Sequence, residues 1–441
     1  MQQVDSIIQA RWVIPVEPHG AVLEDHAVVV DAGRILALLP AAAAEQAYRA
    51  EHVTRLAHHA LIPGLVNSHT HAAMSLLRGL ADDLPLMRWL TEHIWPAEQA
   101  HVSAEFVRQG AELAIAEMLR TGTTCFNDMY FFPEQVAQAA TAAGMRAVLG
   151  MIVIDFPSAY ASGPAEYLER GLALRDSYRN DPLIRTAFAP HAPYTVAGEH
   201  LERIRTLADE LDEPVHIHLH ETAHEVNEAL ARHGRRPLAG LDALGLVSPQ
   251  LLAVHMTQLQ ATEIDRLAEA GAHVVHCPQS NLKLASGFCP VAALLDTGVN
   301  VCLGTDGAAS NNDLDLFGEM GTAAMLAKAV CGDAAAVPAA HALRMATLNG
   351  ARALGLADTI GSVEPGKAAD LVAVDLGGVG AVPVYQPVSQ LVYSGSGERV
   401  SDVWIAGRQV LRSGVLTTVD QERVLGQAAV WRDIIAAGDS A

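Results

Sequence analysis

Residues 60–71 read Ala-Leu-Ile-Pro-Gly-Leu-Val-Asn-Ser-His-Thr-His, and this stretch decides how the rest of the chain is interpreted. Its apolar run, opened by Pro63-Gly64, predicts a buried strand. Because strand side chains alternate between faces, His69 and His71 point the same way at the polar end of that strand. Two converging imidazoles suit a borderline divalent metal ion. A single His-x-His is as often structural, so the metal hypothesis needs support from the other strands.

The composition indicates a folded, acidic protein. The 441-residue chain is long enough for one large domain plus a smaller one, half of its residues are hydrophobic, and its formal net charge is −21. Such an acidic surface argues against nucleic acid or an anionic membrane as a partner. We find neither a secretory signal nor an apolar run of membrane-spanning length. Five scattered cysteines without a C-x-x-C motif predict reduced thiols and a cytoplasmic location.

Eight apolar runs alternate with amphipathic helical segments in the central part of the chain. In order, they cover residues 65–69, 123–127, 145–154, 184–189, 215–219, 251–255, 272–276 and 300–305. This alternation is typical of the α/β class and, with eight repeats, of a parallel (β/α)8 TIM-like barrel. An open doubly wound sheet is the structural alternative, but no G-x-G-x-x-G motif opens a helix here.

Both ends of the chain carry short β-branched runs. Residues 28–36 predict a hairpin closed at Ala32-Gly33, and residues 403–411 predict another. Neither end has enough strands for a stable sheet of its own. We therefore predict a composite β-sandwich domain built from residues 1–60 and 366–441, with a catalytic barrel over residues 61–365.

Polar residues collect at the C-terminal ends of the first, fourth, fifth, sixth and eighth predicted strands. They are His69, His71, His191, His216, His218, His220, Glu221, His255 and Asp306. Barrel enzymes carry their chemistry at that rim, where core-filling histidines would have no reason to gather.

Four of these rim residues can meet around one divalent ion. His69, His71, one histidine of the fifth strand and Asp306 make a donor set that suits one Zn²⁺, with Fe²⁺ or Mn²⁺ as alternatives. Such an ion lowers the pKa of a bound water toward neutrality and so makes a nucleophile. Spacing alone leaves His216, His218 and His220 open as the third imidazole.

Two further rim residues are candidates for proton transfer. Glu221 follows the fifth strand, where a carboxylate can take a proton from the bound water and deliver it to a substrate. His255 can polarise the attacking hydroxide. Taken singly, each has an ordinary explanation: Glu221 could be a solvated loop glutamate, and His255 could be a histidine that packs in the core.

Three motifs taken together resemble the amidohydrolase superfamily. They are the segment from Pro63 to His71 and two further stretches, His-Leu-His-Glu at 218–221 and Leu-Gly-Thr-Asp-Gly-Ala-Ala-Ser-Asn at 303–311. The return into the terminal β domain at residues 361–372 fits as well. The branch that they resemble is that of the 5′-methylthioadenosine/S-adenosylhomocysteine deaminases, and the likeness runs over nearly the whole chain.

The resemblance implies a hydrolytic deamination in which hydroxide attacks C6 of an adenine ring and ammonia leaves. It selects His218 as the third imidazole ligand and makes Asp306 both a ligand and a proton shuttle. It makes Glu221 the residue that protonates a ring nitrogen and His255 the one that orients the hydroxide. No lysine ends the fourth strand, where binuclear relatives bear a bridging carbamate, so one metal ion is expected per subunit. A homo-oligomer is also expected from the likeness.

The same resemblance implies contacts to a small-molecule purine nucleoside. Trp89 and Glu98 match positions that line the nucleoside. A carboxylate such as Glu98 can accept both ribose hydroxyl protons, and an indole supplies an apolar wall. His191 matches a histidine beside the base, and Ser310 is a further lining candidate.

One departure from the family pattern bears on the 5′ substituent. Relatives that accept S-adenosylhomocysteine place arginines after the third strand, whereas residues 150–157 here contain none. Burying a carboxylate there without a partner costs on the order of several kcal/mol. Met151, Ile154 and Phe156 better suit an apolar methylthio group. We therefore predict a preference for 5′-methylthioadenosine, with adenosine and S-adenosylhomocysteine as possible substrates.

Other functions remain compatible with the same barrel. Guanine or 8-oxoguanine deamination and triazine dechlorination would use the same hydroxide on a different ring or leaving group. A protein of another class, a non-catalytic scaffold that kept the barrel without the metal, would lack several ligands. Here every candidate ligand and Glu221 is present.

Overall fold

The computed structural model describes residues 1–438, and its central feature is a barrel of eight parallel strands, which confirms the predicted fold class. Each strand pairs with the next one along the chain. Barrel strands 1 to 8 are Leu65–Thr70, Thr123–Asp128, Arg146–Val153, Ile184–Pro190, Val215–Leu219, Leu251–His255, His273–His276 and Asn300–Leu303.

Strand 8 meets strand 1 at a seam that requires a glycine. The Asp306 amide donates to the His69 carbonyl oxygen at 3.0 Å. A Cβ at Gly304 would lie 2.8 Å from the His69 backbone nitrogen, so the two strands could not approach this closely with any side chain there. The seam therefore places the ends of the first and last strands side by side.

Below the rim, the barrel is filled by small and medium apolar side chains. One buried cluster takes members from seven of the eight strands, namely Val66, Cys125, Val148, Ala187, Val254, Val275 and Cys302. Such layers make the barrel a packed core rather than a pore. The rim is then the place where polar side chains can be gathered.

Helices follow the strands and surround the barrel, as the apolar periodicity predicts. The helices of the described chain are Ala41–Ala47, Leu86–Trp89, Trp95–His101, Ala104–Arg120, Pro133–Ala143, Pro164–Tyr178, Gly198–Leu211, Ala223–His233, Pro237–Ala243, Ala261–Ala270, Pro278–Lys283, Val291–Asp296, Ala308–Asn311, Leu316–Cys331, Ala339–Met345, Leu348–Ala353, Pro387–Tyr393 and Gln421–Gly438. Short 3₁₀ segments cover Ala72–Leu77 and Gly397–Arg399, and a π-helical turn covers Leu90–Ile94.

The two chain ends form one separate mixed sheet of eight strands. From edge to edge its strands are Val415–Leu416, Arg408–Arg412, Val400–Ile405, Leu371–Asp375, Tyr48–Pro63, Gln2–Val13, Leu23–Asp31 and Arg34–Pro40. Both predicted hairpins are present, and Ala32 and Ala406 adopt the left-handed backbone that such tight turns need. Gly64 then leads from the Tyr48–Pro63 strand directly into barrel strand 1.

The last helix leaves the terminal sheet and packs on the barrel. Gln421–Gly438 lies against Ala104–Arg120, where Trp431 Nε1 donates to Gln109 Oε1 at 2.8 Å and Arg423 pairs with Glu112 at 2.7 Å. The C-terminal stretch predicted as purely β is therefore partly helical.

No helix within residues 1–438 combines the length and the apolar character needed to cross a membrane. All five cysteines are unpaired, and four of them are buried. This confirms the expectation that the chain has no disulfide framework.

A buried ion pair joins the terminal sheet to the barrel. Arg146, at the start of barrel strand 3, binds both carboxylate oxygens of Asp370 at 3.1 and 3.2 Å. Asp370 also accepts the Ala406 amide at 2.8 Å, and both charged side chains are almost fully buried. Because the charges satisfy each other away from water, neither can be removed alone without leaving its partner unpaired.

We expect Asp370→Asn to lower the free energy of unfolding in urea by about 3–5 kcal/mol, because it leaves the Arg146 guanidinium buried without a counter-charge. Glu92→Gln is the control, since it breaks an exposed helical pair with Arg88 and should cost less than about 0.5 kcal/mol. Equal losses in the two variants would contradict this account of the junction.

Candidate metal centre and active-site cleft

The predicted metal ligands converge at the C-terminal rim. The His69 and His71 Nε2 atoms each lie 3.3 Å from Asp306 Oδ1. The His218 Nε2 atom lies 3.2 Å from His69 Nε2. Two triads of donor atoms meet within 4.8 Å, namely His69 with His71 and Asp306, and His69 with His218 and His255. The four side chains expected to share one ion are thus brought together.

Hydrogen bonds at the opposite ring nitrogens orient these imidazoles. The Nδ1 atom of His71 lies 2.5 Å from the Met129 carbonyl oxygen, and that of His218 lies 2.7 Å from the His191 carbonyl oxygen. Both rings therefore donate from Nδ1 and leave Nε2 with a free lone pair facing the cluster. Such backing by a carbonyl is usual for metal-binding histidines. The donor set therefore fits a zinc-like ion.

Burial also keeps the rings in the form that binds a metal. It lowers the pKa of His69 to about 4 and that of His218 well below its ordinary value, against the opposing effect of Asp306 on His69. His71 differs, because Asp306 outweighs burial there and raises the pKa of this ring to about 9. A neutral imidazole has the lone pair that ligation requires.

The structure distinguishes the three histidines of the fifth strand. His216 lies behind the cluster, where its Nε2 is 2.9 Å from His69 Nδ1. His220 turns away with a φ of 52°, and its Nε2 accepts the Leu238 amide at 3.1 Å. His220 does not share a face with the other two, because the strand ends at Leu219 and the backbone changes direction. His218 remains in the cluster.

Hydroxyl groups hold the second oxygen of Asp306. Ser280 Oγ and Ser310 Oγ donate to Asp306 Oδ2 at 2.7 and 3.0 Å, and the Gly307 amide donates to Oδ1 at 2.8 Å. Despite burial, the hydrogen bonds and charges of His69 and His71 hold the pKa of Asp306 well below its ordinary value. The group is therefore an anion.

Glu221 and His255 stand beside the cluster, as expected. Glu221 Oε2 lies 3.9 Å from His255 Nε2, and Ser286 Oγ is 3.4 Å from the other carboxylate oxygen. Burial raises the pKa of Glu221, which favours its protonated form. His255 Nδ1 is fixed by Asn281 Oδ1 at 2.9 Å. A buried acid next to a metal-competent cluster can supply a proton at neutral pH.

A cleft opens above these side chains. Trp89, Glu98, His191 and Ser310, all predicted to contact a nucleoside, line it together with the cluster. Glu98 accepts the Tyr130 hydroxyl at 2.7 Å, and burial raises its pKa. Burial also lowers the pKa of His191 to about 3, so this ring is neutral. The cleft thus combines an apolar wall with a few fixed polar groups, as small-molecule sites do.

Met151 is a correction to the predicted lining. Strand alternation directs its side chain outward, where its Cβ would lie 2.8 Å from a Cβ added at Gly171 on the surrounding helix. Its neighbour Ile152, together with Ile154 and Phe156, lines the cleft instead. The sequence interpretation placed Met151 on the wrong face of barrel strand 3.

Several supporting side chains were missed from the sequence. Ser280 and Asn281 follow barrel strand 7, and a position just after a barrel strand is the signal that could have found them. Tyr130 and Ser286 act through loops whose paths the sequence does not give.

A parallel (β/α)8 barrel with buried imidazoles and an anionic carboxylate gathered at its C-terminal rim defines a metal-dependent hydrolase. A family model described as the amidohydrolase family matches residues 60–410. The chain belongs to that family and, within it, to the 5-methylthioadenosine/S-adenosylhomocysteine deaminases.

Three similar proteins support this membership. The 5-methylthioadenosine/S-adenosylhomocysteine deaminase of Teredinibacter turnerae is 52% identical over 434 residues, which cover 98% of each chain. The one of Saccharophagus degradans is 49% identical over 428 residues, covering 97% of this chain and 96% of the relative. The crystal structure of an adenosine deaminase from Xanthomonas campestris with bound zinc shares 55% identity, covers 99% of each chain and superposes with a TM-score of 0.98.

We expect a bound divalent ion to stabilise this protein by about 3 kcal/mol when zinc is present at a hundredfold its dissociation constant. The zinc-dependent rise in melting temperature should disappear in His218→Asn, which removes a member of the cluster. It should persist in His220→Asn, whose side chain faces the Leu238 amide. Loss of the rise in His220→Asn alone would contradict the arrangement described here.

Proposed function

We propose that the protein is a hydrolytic deaminase of adenine nucleosides that prefers 5′-methylthioadenosine and converts it to 5′-methylthioinosine. The observation that carries the proposal is a buried acid, Glu221, beside an imidazole and carboxylate cluster in a cleft that Trp89 and Glu98 also line. The activities by which the close relatives are named support it.

One zinc ion per chain is held by His69, His71, His218 and Asp306. The 3.2–3.3 Å spacings between their facing atoms and the backing of His71 and His218 by carbonyl groups support this set. When bound there, zinc supplies a Lewis acid that lowers the pKa of a coordinated water toward neutrality.

The protein side chains move the protons of the reaction. Asp306 accepts a proton from the attacking water and returns it to the departing amino group, so that water is consumed and ammonia leaves. Glu221 gives its proton to a ring nitrogen, which makes C6 of the purine more electrophilic, and it regains a proton from the hydroxyl group added at C6 as the amino group leaves. His255, fixed by Asn281, orients the water toward that carbon.

The remaining lining residues hold the nucleoside. Glu98 accepts hydrogen bonds from the ribose hydroxyls, Trp89 packs on the apolar side of the nucleoside, and His191 contacts the base. Ser310 both lines the cleft and donates to Asp306. A site that matches hydroxyl groups with a buried carboxylate favours nucleosides over free bases and triazines, because these would leave the Glu98 oxygen that does not bind Tyr130 without a hydrogen bond.

The 5′ end of the nucleoside meets an apolar surface. Phe131, Ile152, Ile154 and Phe156 line the cleft, and neither lysine nor arginine is among its lining residues. A methylthio group is stabilised by such contacts, whereas the charged end of S-adenosylhomocysteine has no cation to pair with there.

We expect Glu221→Gln to lower kcat for 5′-methylthioadenosine by about 10²–10⁴-fold, because the amide has no acidic proton to give. Zinc content should stay at that of the unmodified protein, since Glu221 is not among the ligands. Ammonia release should be measured on 5′-methylthioadenosine, adenosine, guanine and a chlorotriazine. Turnover of guanine or the triazine with none of the nucleosides would overturn the proposed function.

We expect kcat/KM for 5′-methylthioadenosine to exceed that for S-adenosylhomocysteine by at least about tenfold, since an unpaired carboxylate loses more than about 1.4 kcal/mol on burial. Phe156→Arg should narrow this ratio by supplying a cation at the mouth of the cleft. Adenosine, which lacks a charged tail, serves as the internal reference. Equal values of kcat/KM for the two substrates with the unmodified protein would contradict the stated preference.

A further inference from the structure

Glu319 is a fully buried carboxylate that the proposed reaction does not use. It belongs to the helix Leu316–Cys331, has no exposed surface, and pairs with no lysine or arginine in the described part of the chain. Burial without a counter-charge raises the pKa of Glu319 well above its ordinary value, so its two oxygens depend on hydrogen bonds from neighbouring groups. Those contacts lead to the active site.

The two carboxylate oxygens of Glu319 bind two different rim loops. Oε2 accepts the backbone amide of Gln279 at 3.2 Å, and Oε1 accepts Asn311 Nδ2 at 2.5 Å. Gln279 belongs to the short helix Pro278–Lys283 after barrel strand 7, whereas Asn311 ends the helical turn Ala308–Asn311 after barrel strand 8. One side chain therefore ties together the loops that follow the last two strands.

Each of these loops carries partners of the proposed reacting groups. Ser280 and Ser310, one from each loop, donate to Asp306 Oδ2 and lie 3.0 Å from each other. Asn281, two residues beyond Gln279, holds His255 Nδ1 at 2.9 Å. A shift of either loop would therefore move Asp306 or His255.

The backbone at these positions needs such support. Asp306 and His255 have φ values of 64° and 75°, in the left-handed region that side chains disfavour. Asn311 Nδ2, which Glu319 holds, also donates to the Thr305 carbonyl oxygen at 2.7 Å, immediately before Asp306. Strained conformations of this kind persist only where surrounding contacts fix them.

We propose that Glu319 is a positioning residue of the deaminase. It ties the loops after barrel strands 7 and 8 together, and so fixes the Asp306 carboxylate and the His255 ring. It touches neither substrate nor metal ion. The expected effect of Glu319 on kcat rests on the proposed function, whereas its expected effect on metal retention does not.

We expect Glu319→Ala in the zinc-loaded protein to lower kcat for 5′-methylthioadenosine by about 10–100-fold, the usual effect of losing a partner behind a metal ligand. KM should change by less than about threefold, because Trp89 and Glu98 lie on other elements. Zinc release to excess chelator, followed with a metallochromic dye, should become about tenfold faster. Glu319→Gln, which keeps one acceptor oxygen, should fall between Glu319→Ala and the unmodified protein in both measurements.

Asn311→Ala provides a second test of the proposal, which can be used if Glu319→Ala does not fold. It removes the side-chain partner of Glu319 and should reproduce the losses of kcat and zinc retention, and the double variant should lose less than the product of the two. Glu213→Gln is the matched control. This largely buried carboxylate binds Arg175 just before barrel strand 5, at the opposite end of the barrel, and its change should lower stability alone.

The outcomes separate this proposal from the proposed function. If the unmodified protein does not deaminate 5′-methylthioadenosine, the zinc-release measurement still tests Glu319. The positioning role is overturned if folded Glu319→Ala keeps both kcat and the rate of zinc release within about threefold of the unmodified protein. Where Glu319→Ala does not fold, the same result for Asn311→Ala and Glu319→Gln overturns it. It is equally overturned if Glu213→Gln changes kcat and zinc release as much as Glu319→Ala does.

Discussion

The seam between the first and last barrel strands is the constraint on which the rest of the site depends. His69 and Asp306 are 237 positions apart in the sequence, yet the Asp306 amide donates to the His69 carbonyl oxygen at 3.0 Å. Gly304 makes this approach possible because a Cβ there would overlap His69. Closure of the barrel therefore also brings His69 and Asp306, two of the four candidate metal ligands, next to each other. In an open sheet, the same two strands would lie at opposite edges.

Gathering polar groups at that seam is unfavourable without an ion. His69, His216 and Asp306 are buried away from water, and burial alone pushes the imidazoles toward their neutral form. The left-handed backbone of Asp306 and His255 adds local strain. Hydrogen bonds behind the cluster offset part of this cost, and the proposed metal ion would offset more of it. The backbone strain therefore lies at the rim, where barrel enzymes carry their chemistry.

The barrel and the rim cluster could be predicted because both depend on patterns among residues that are close in the sequence. An apolar run predicts a strand, and the residue that follows it lies at the rim. His220 and Met151 show where such patterns fail. For His220 the backbone changes direction directly after Leu219, the last residue of the strand, so the alternation of faces does not extend to it. For Met151 the face of a strand buried on both sides cannot be told from apolar alternation. Tyr130 and Glu319 could not be found at all, since their contacts depend on how distant loops pack.

The groups that face the metal cluster and the residues that line the rest of the cleft come from elements of different rigidity. The groups facing the cluster come from strand ends, whose positions the barrel fixes to within hydrogen-bond distances. The proposed nucleoside contacts, Trp89 and Glu98, come instead from the helical segment after barrel strand 1, and Phe156 comes from the loop after strand 3. Loops and short helices can change between relatives without disturbing the seam. Specificity for the 5′ substituent is therefore separable from the hydrolytic chemistry, because the residues that set each one are fixed by different parts of the fold.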